Sequence, residues 1–310
     1  MKKLIILVIS VGYSLSTYAA DERYLVDRIN ADNNRITTGW RFNPQSNPGG
    51  NDFTFLTAVG VVLTITNGKD IDSNGNVHMG TGTLIDRCHV LTAKHMAYRI
   101  PFPATPPLGQ PVKFYAGQNE QNEELSGAQF EYNGKVIGYG SYDPTADKPG
   151  GMAGDWAVIR LSKNASPNLA AIPVENAFGS VRSPGRVINR VLPILIAGYP
   201  RDKSLKDATH MYGHLWITPP GMIYRVWVLG DTGEGLASHN MMETEGNSGG
   251  PILAALEPGK YRVIGLVQGH SLDDPGEGLT PGEKNPNYVV ILTATVIERI
   301  NKLVAQTACD

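Results

Sequence analysis

Ser248 lies in Thr244-Glu245-Gly246-Asn247-Ser248-Gly249-Gly250-Pro251-Ile252-Leu253, a serine among glycines followed by an apolar run. Glycine allows positive φ and close approach of another chain. A nucleophilic serine needs both: a hydroxyl held proud of its surroundings, and backbone N–H groups aimed at the oxygen that turns negative during attack. The same residue types also build plain turns, so the motif alone leaves both readings open. A serine hydroxyl further needs a base to take its proton and an acid to hold that base in the right tautomer. Of 7 histidines, His95 stands out because it ends the apolar run Val90-Leu91-Thr92-Ala93-Lys94, where a scaffold can fix it. Asp155 opens the apolar run Trp156-Ala157-Val158-Ile159-Arg160-Leu161, where a carboxylate is desolvated and aimed. The three groups occur in the order His95, Asp155, Ser248.

Other motifs carry less. Asp70-x-Asp72-x-Asn74-Gly75 resembles the start of a calcium loop, but its twelfth position is Thr81 and not a bidentate Glu; a polar hairpin loop accounts for it. His210 and His214 have metal-like spacing without the Glu of a zinc protease between them. Cys88 and Cys309 are the 2 cysteines. In an oxidising compartment an even pair suggests one disulfide, tying the C-terminal tail to the first half; two separate thiols are the alternative. They are too few and too far apart in sequence to suggest zinc. No metal and no cofactor is expected.

The elements that must position these residues read as short strands. Phe55 to Thr66, His78 to Ile85, Val112 to Ala116, Gln129 to Tyr132 and Lys135 to Tyr139 are strand candidates in the first half. Asn67-Gly68 and Asn74-Gly75 are hairpin signals. Ser162 to Arg190 is loop-rich and reads as a bridge. Val191 to Ala197, Gly213 to Ile217, Ile223 to Leu229, Leu236 to Met242, Pro251 to Ala255, Tyr261 to Val267 and Tyr288 to Leu292 follow. Ala294 to Val304 is a helix, with Val296, Ile297, Ile300, Leu303 and Val304 at helical spacing. Many short strands with one terminal helix argue for an all-β fold of barrels or sandwiches over a parallel α/β sheet.

The chain has 310 residues with 18% charged and 41% hydrophobic, enough for one large or two medium folded units. Lys2 and Lys3, the apolar run Leu4 to Gly12 and the small residues at Ala19-Ala20 read as a cleavable export signal over 1–20; an N-terminal anchor is the alternative. The mature chain is therefore expected to be secreted or periplasmic and off the membrane. Losing Lys2 and Lys3 takes the formal charge from −2 to −4. With no Lys/Arg cluster, nucleic acid is an unfavoured partner. Residues 21–52 form an arm, propeptide or linker, in which Glu22 to Asn30 has the makings of a short helix.

Leu91-Thr92-Ala93-Lys94-His95, Asp155-Trp156-Ala157-Val158-Ile159-Arg160-Leu161 and Gly246-Asn247-Ser248-Gly249-Gly250-Pro251 resemble, in order, the three motifs of chymotrypsin-like serine proteases. Gly198-Tyr199-Pro200-Arg201-Asp202-Lys203 and the Lys94-His95 pair look more like the bacterial glutamyl endopeptidase (V8-like) branch than the digestive enzymes. The resemblance covers roughly Phe53 to Val304. It implies two six-stranded antiparallel β-barrels with a C-terminal helix, the first over 53–185 with His95 and Asp155, the second over 186–310 with Ser248. It implies a secreted serine endopeptidase acting on protein or peptide substrates. By position, Ser248 is the nucleophile, His95 the base, Asp155 its orienting acid, and the N–H groups of Gly246 and Ser248 the oxyanion hole.

The sequence also departs from the family. Digestive relatives carry an Asp before the serine that pairs with a freed N-terminus; here it is Asn247, so that ion-pair switch is expected to be absent. Trypsin-like enzymes hold an acid six residues before the serine; here it is Met242, beside Glu243. The strand position that carries a His in glutamyl endopeptidases is matched by Val267, with His270 nearby. Met242, Glu243, Gln268, His270 and Asn287 are the candidates for substrate binding. Gln268 to His270 also offers an edge to an extended peptide. An esterase-like acyl hydrolase on the same site, a catalytically silent binding protein of this fold, and an unrelated all-β adhesin are the rival readings.

Overall fold

The computed structural model describes residues 23–25, 38–42, 54–65, 78–98, 106–117, 130–142, 152–179, 188–199, 215–217, 221–228, 232–239, 246–257, 260–270 and 287–309. The expected export signal, both hairpin signals, the calcium-like loop and His210 and His214 lie outside them.

In chain order, β1 (Arg23–Leu25) and β2 (Thr38–Phe42) are followed by a 3-10 turn, Thr54–Ala58. Then come β3 (Val59–Thr64), β4 (Met79–Leu84), β5 (His89–Thr92), the short helix α1 (Lys94–Ala97), β6 (Pro111–Ala116), β7 (Glu131–Tyr139) and β8 (Ala157–Leu161). These six strands from β3 to β8 close into an antiparallel barrel in the order β3-β4-β5-β8-β7-β6. Val and Ile supply the β-branched side chains that suit a pleated, buried surface. β7 alternates buried and more open positions along its length, with one face on the core. β3 is buried at every position, with the barrel interior on one side and packed elements on the other.

The second half contains β9 (Ile188–Gly198), β10 (Leu215–Ile217), β11 (Gly221–Val228), β12 (Gly235–His239), β13 (Pro251–Glu257), β14 (Lys260–His270) and β15 (Asn287–Ile291). β9, β11, β12, β15, β14 and β13 neighbour one another in that order, and β13 pairs back to β9 through Ile252↔Ile196 and Leu253↔Leu195. The six strands thus return on themselves as a second antiparallel unit with its own core around Ile194, Ile196, Ile223, Val226, Ile252, Ile264, Val289 and Ile291. The expected all-β fold of two six-stranded units holds.

α2 (Ala294–Gln306) ends the chain's ordered elements. Thr293 caps it, its hydroxyl oxygen accepting from the Val296 amide at 3.2 Å, and Val296 and Ile300 are buried beneath it. Its far end is fastened to the first barrel: Arg160 Nε donates to the Thr307 carbonyl at 2.9 Å, and Cys88 and Cys309 are joined in a disulfide with Cα atoms 5.7 Å apart.

Three local expectations differ. Arg23–Leu25 is a strand paired with β2, not part of a helix over Glu22 to Asn30. A lone helix of that length is marginal, whereas β2 offers a backbone ladder and itself pairs with β10. The two strands expected on either side of Asn133-Gly134 are one strand, β7, because both residues pair across to β6 at Lys113 and Val112. Phe55 to Ala58 belongs to the 3-10 turn that precedes β3 rather than to the strand.

Candidate active site

Cross-strand register brings His95 and Asp155, the candidate base and acid, together. β5 and β8 are antiparallel neighbours, and Thr92 at the end of β5 faces Ala157 at the start of β8. His95 follows the one and Asp155 precedes the other, so both leave the barrel at the same rim. Asp155 is fully buried and His95 nearly so. The Asp155 carboxylate accepts the His95 backbone amide at Oδ1 (3.0 Å) and the ring Nδ1–H at Oδ2 (2.5 Å). A carboxylate only accepts, so a proton sits on Nδ1, and in the neutral ring Nε2 is then the nitrogen with the lone pair. The Tyr142 ring and the imidazole meet in a T-shaped arrangement, centroids 6.3 Å apart.

The serine turn is held from both barrels. In the second, the Gly249 amide donates to the Val267 carbonyl (2.8 Å), the Val267 amide to Gly250 (2.9 Å), and the Gly250 amide closes the turn on Asn247 (2.8 Å). In the first, the Thr81 amide donates to the Ser248 carbonyl (2.9 Å) and its hydroxyl to the Gly246 carbonyl (2.7 Å). The same hydroxyl oxygen accepts from the Tyr199 amide at 3.0 Å, and Thr92 Oγ1 donates to the Thr81 carbonyl at 2.7 Å. Gly249 has φ +80°, and a Cβ there would lie 2.3 Å from Thr92 Oγ1 and 2.7 Å from the Ala93 amide nitrogen. The turn therefore presses on the residues that lead into His95. Gly80 makes the same point from β4: a Cβ on it would meet Met96 Sδ at 2.1 Å and the Ser248 carbonyl at 2.8 Å. Ser248 itself remains half-buried.

Asn247 is buried and neutral. Val267 is also buried, and both its backbone groups are spent on the serine turn. Gln268 is half-buried on β14. His270 and Asn287 are cross-strand partners on β14 and β15, and Asn287 faces His239 on its other side. Met242 and Glu243 lie outside the described residues.

Four residues make contacts at the site that sequence reasoning did not assign. Thr81 is the clamp just described. Lys94 is fully buried, its Nζ donating to the carbonyls of Gly140 (3.2 Å) and Tyr142 (2.9 Å) and lying 4.5 Å over the Tyr139 ring. Tyr142 stands in the loop entered from β7. Glu234, fully buried ahead of β12, receives Trp156 Nε1 at 3.2 Å. Lys94 stands beside His95 in its motif and Thr81 ends the calcium-like spacing, but neither position shows these contacts; a Lys or Glu reads as surface until the partners that bury it are known.

The trypsin family model matches residues 61–286, most of the chain. The chain belongs to the trypsin family. The trypsin family consists of serine peptidases, and the matched span includes the motifs of His95, Asp155 and Ser248. Among solved structures the chain is similar to a glutamyl endopeptidase in complex with MPD, at 20% identity and a TM-score of 0.46, over 81% of this chain and 92% of that one. A search of curated proteins returns no match.

Away from the site, the disulfide has polar company. The ligand atoms of Asp86, Cys88, His89 and Cys309 lie within 4.8 Å of one another. Sequence separation hid this proximity, but both sulfurs are spent on each other. The Asp86 carboxylate binds His89 Nδ1 at 2.7 Å and the Cys88 amide at 2.8 Å, and His89 Nε2 meets Thr307 Oγ1 at 3.0 Å. Half-burial pushes the Asp86 pKa up, but the hydrogen bonds from His89 and Cys88 outweigh it and hold the group below its ordinary value. Among the described residues no helix is long and apolar enough to cross a membrane.

Proposed function

We propose that this trypsin-family chain is an exported serine endopeptidase working through Ser248, His95 and Asp155. The observation that carries the reading is the His95–Asp155 pair at 2.5 Å, which leaves Nε2 as the free base on the rim against which the Ser248 turn is packed. Nε2 takes the Ser248 proton as Oγ attacks the peptide carbonyl. The negative charge passes to the carbonyl oxygen, which the N–H groups of Gly246 and Ser248 receive. The imidazolium is stabilised by buried Asp155 and then gives its proton to the leaving amine, leaving an acyl-enzyme. Water, deprotonated by the same Nε2, hydrolyses it. Every proton is held by a side chain of this chain, so the cycle calls for no cofactor.

The substrate lies as an extended peptide along Gln268–His270, which runs past the point where β13 stops pairing with β14 at Pro251↔Leu266. By sequence position, Gln268, His270, Asn287, Met242 and Glu243 are the residues that select the substrate side chain in this reading; Met242 and Glu243 lie outside the described residues. Mature wild type and Ser248→Ala should be compared on an unfolded protein substrate and on small esters. We expect wild type to release peptides and the variant none. Ester cleavage with no peptide release would replace the endopeptidase by an acyl hydrolase, and activity retained in Ser248→Ala would remove the triad.

A further inference from the structure

Among the described residues two carboxylates are fully buried, Asp155 and Glu234. The proposed mechanism uses the first. Burying the second is costly unless it is paired and hydrogen-bonded, and its partners show what that carboxylate holds. Oε1 receives the Ser141 amide (3.0 Å), Trp156 Nε1 (3.2 Å) and Arg299 Nη1 (2.8 Å), and Oε2 receives the Ser141 hydroxyl. Arg299 comes from α2 and also stacks over the Trp156 ring, 4.8 Å from its centroid. One carboxylate from the second barrel's side thus gathers the first barrel and the terminal helix.

Its contacts in the first barrel are the two strips of chain that frame Asp155. Trp156 is the next residue after Asp155. The Gly140 amide donates to the Trp156 carbonyl (2.8 Å) and the Tyr142 amide to the Gly154 carbonyl (3.2 Å), so 140–142 and 154–156 run as a short ladder. Glu234 grips one residue on each strip, Ser141 and Trp156. The first strip also carries the Tyr142 ring that packs on His95 and the carbonyls that hold Lys94. We propose that Glu234 is a positioning residue for the triad: its carboxylate sets the ladder that aims Asp155 at His95. This rests on Asp155 being the triad acid.

Glu234→Gln keeps the shape while removing the charge and turning an N–H donor toward groups that already donate. Two readouts separate positioning from mere support. The first is the split between kcat and KM on a peptide substrate; misaligned catalytic groups cost roughly 10- to 100-fold in rate, so we expect kcat to fall by that order with KM within about twofold. The second is the proton NMR signal of the His95 Nδ1–H shared with Asp155, which needs no turnover; we expect it to shift or broaden in the variant. Ser141→Ala, which deletes one hydroxyl donor, should move both readouts in the same direction by less, and it decides the matter if Glu234→Gln does not fold. A lowered melting temperature with kcat and the Nδ1 proton unchanged would overturn the proposal. If wild type shows no turnover, the endopeptidase reading fails, and the NMR comparison still decides whether Glu234 positions the pair.

Discussion

At the scale of single residues, the chemistry depends on which atoms can only accept. A carboxylate at Asp155 only accepts, and in the proposed triad it orients His95 by drawing Nδ1–H toward itself. In Asp155→Asn the amide can donate to Nδ1, favour the other tautomer and leave Nε2 protonated. We expect kcat to fall on the order of 10⁴-fold while Ser248 stays in place, as measured by steady-state peptide hydrolysis. Gly249 is sensitive for a steric reason. Its φ of +80° is unfavourable for any residue with a Cβ, and that Cβ would stand 2.3 Å from Thr92 Oγ1. Gly249→Ala should cost about 1–3 kcal/mol in denaturant titrations, as overpacking does, and should lower activity because the same turn carries Ser248. The triad candidates were legible in sequence because each sits at the edge of an apolar run, a local signal. The contacts of Glu234 and Thr81 were not, because their partners are distant: Glu234 meets Trp156 and Thr81 meets Gly246 across large sequence separations; Lys94 was legible as part of the His95 motif but not as a buried cation.

At the scale of elements, register carries the argument. The pairing of β5 with β8 puts His95 and Asp155 at one rim, and neither strand alone contains that information. Most strands were legible from their β-branched runs. β7 was not, because Asn133-Gly134 is a turn signal in isolation and a ladder position once β6 lies beside it. The end of α2 is held to β5 by the disulfide and by the Asp86–His89–Thr307 chain of hydrogen bonds. Asp86 is held below its ordinary pKa in the fold, so it contributes stability above the unfolded value. That contribution is lost as pH falls through the lower, folded value, below about pH 4. In Asp86→Asn we expect the melting temperature to depend less on pH in that acid window, and a slope unchanged from wild type would contradict it. Replacing both cysteines by serine should cost about 2–5 kcal/mol in stability, read from denaturant midpoints with and without the substitutions.

For the molecule as a whole, the two barrels meet at the chemistry. His95 and Asp155, the proposed base and acid, come from the first, Ser248 from the second, and Thr81 reaches across to hold the serine turn at Gly246 and Ser248. The all-β architecture was readable from many short strands and one amphipathic helix, but the N-terminal strands were not. Arg23–Leu25 and Thr38–Phe42 take their form from pairing with each other and with β10, far along the chain. In the proposed enzyme these parts assemble one activated serine. The most direct test is labelling of mature protein with a fluorophosphonate, which reacts where base and oxyanion hole are assembled around a serine, followed by mass mapping of the modified residue. We expect one label, on Ser248, lost in Ser248→Ala and strongly slowed in His95→Ala. A label on another residue, or labelling of Ser248 at the same rate in His95→Ala, would contradict it.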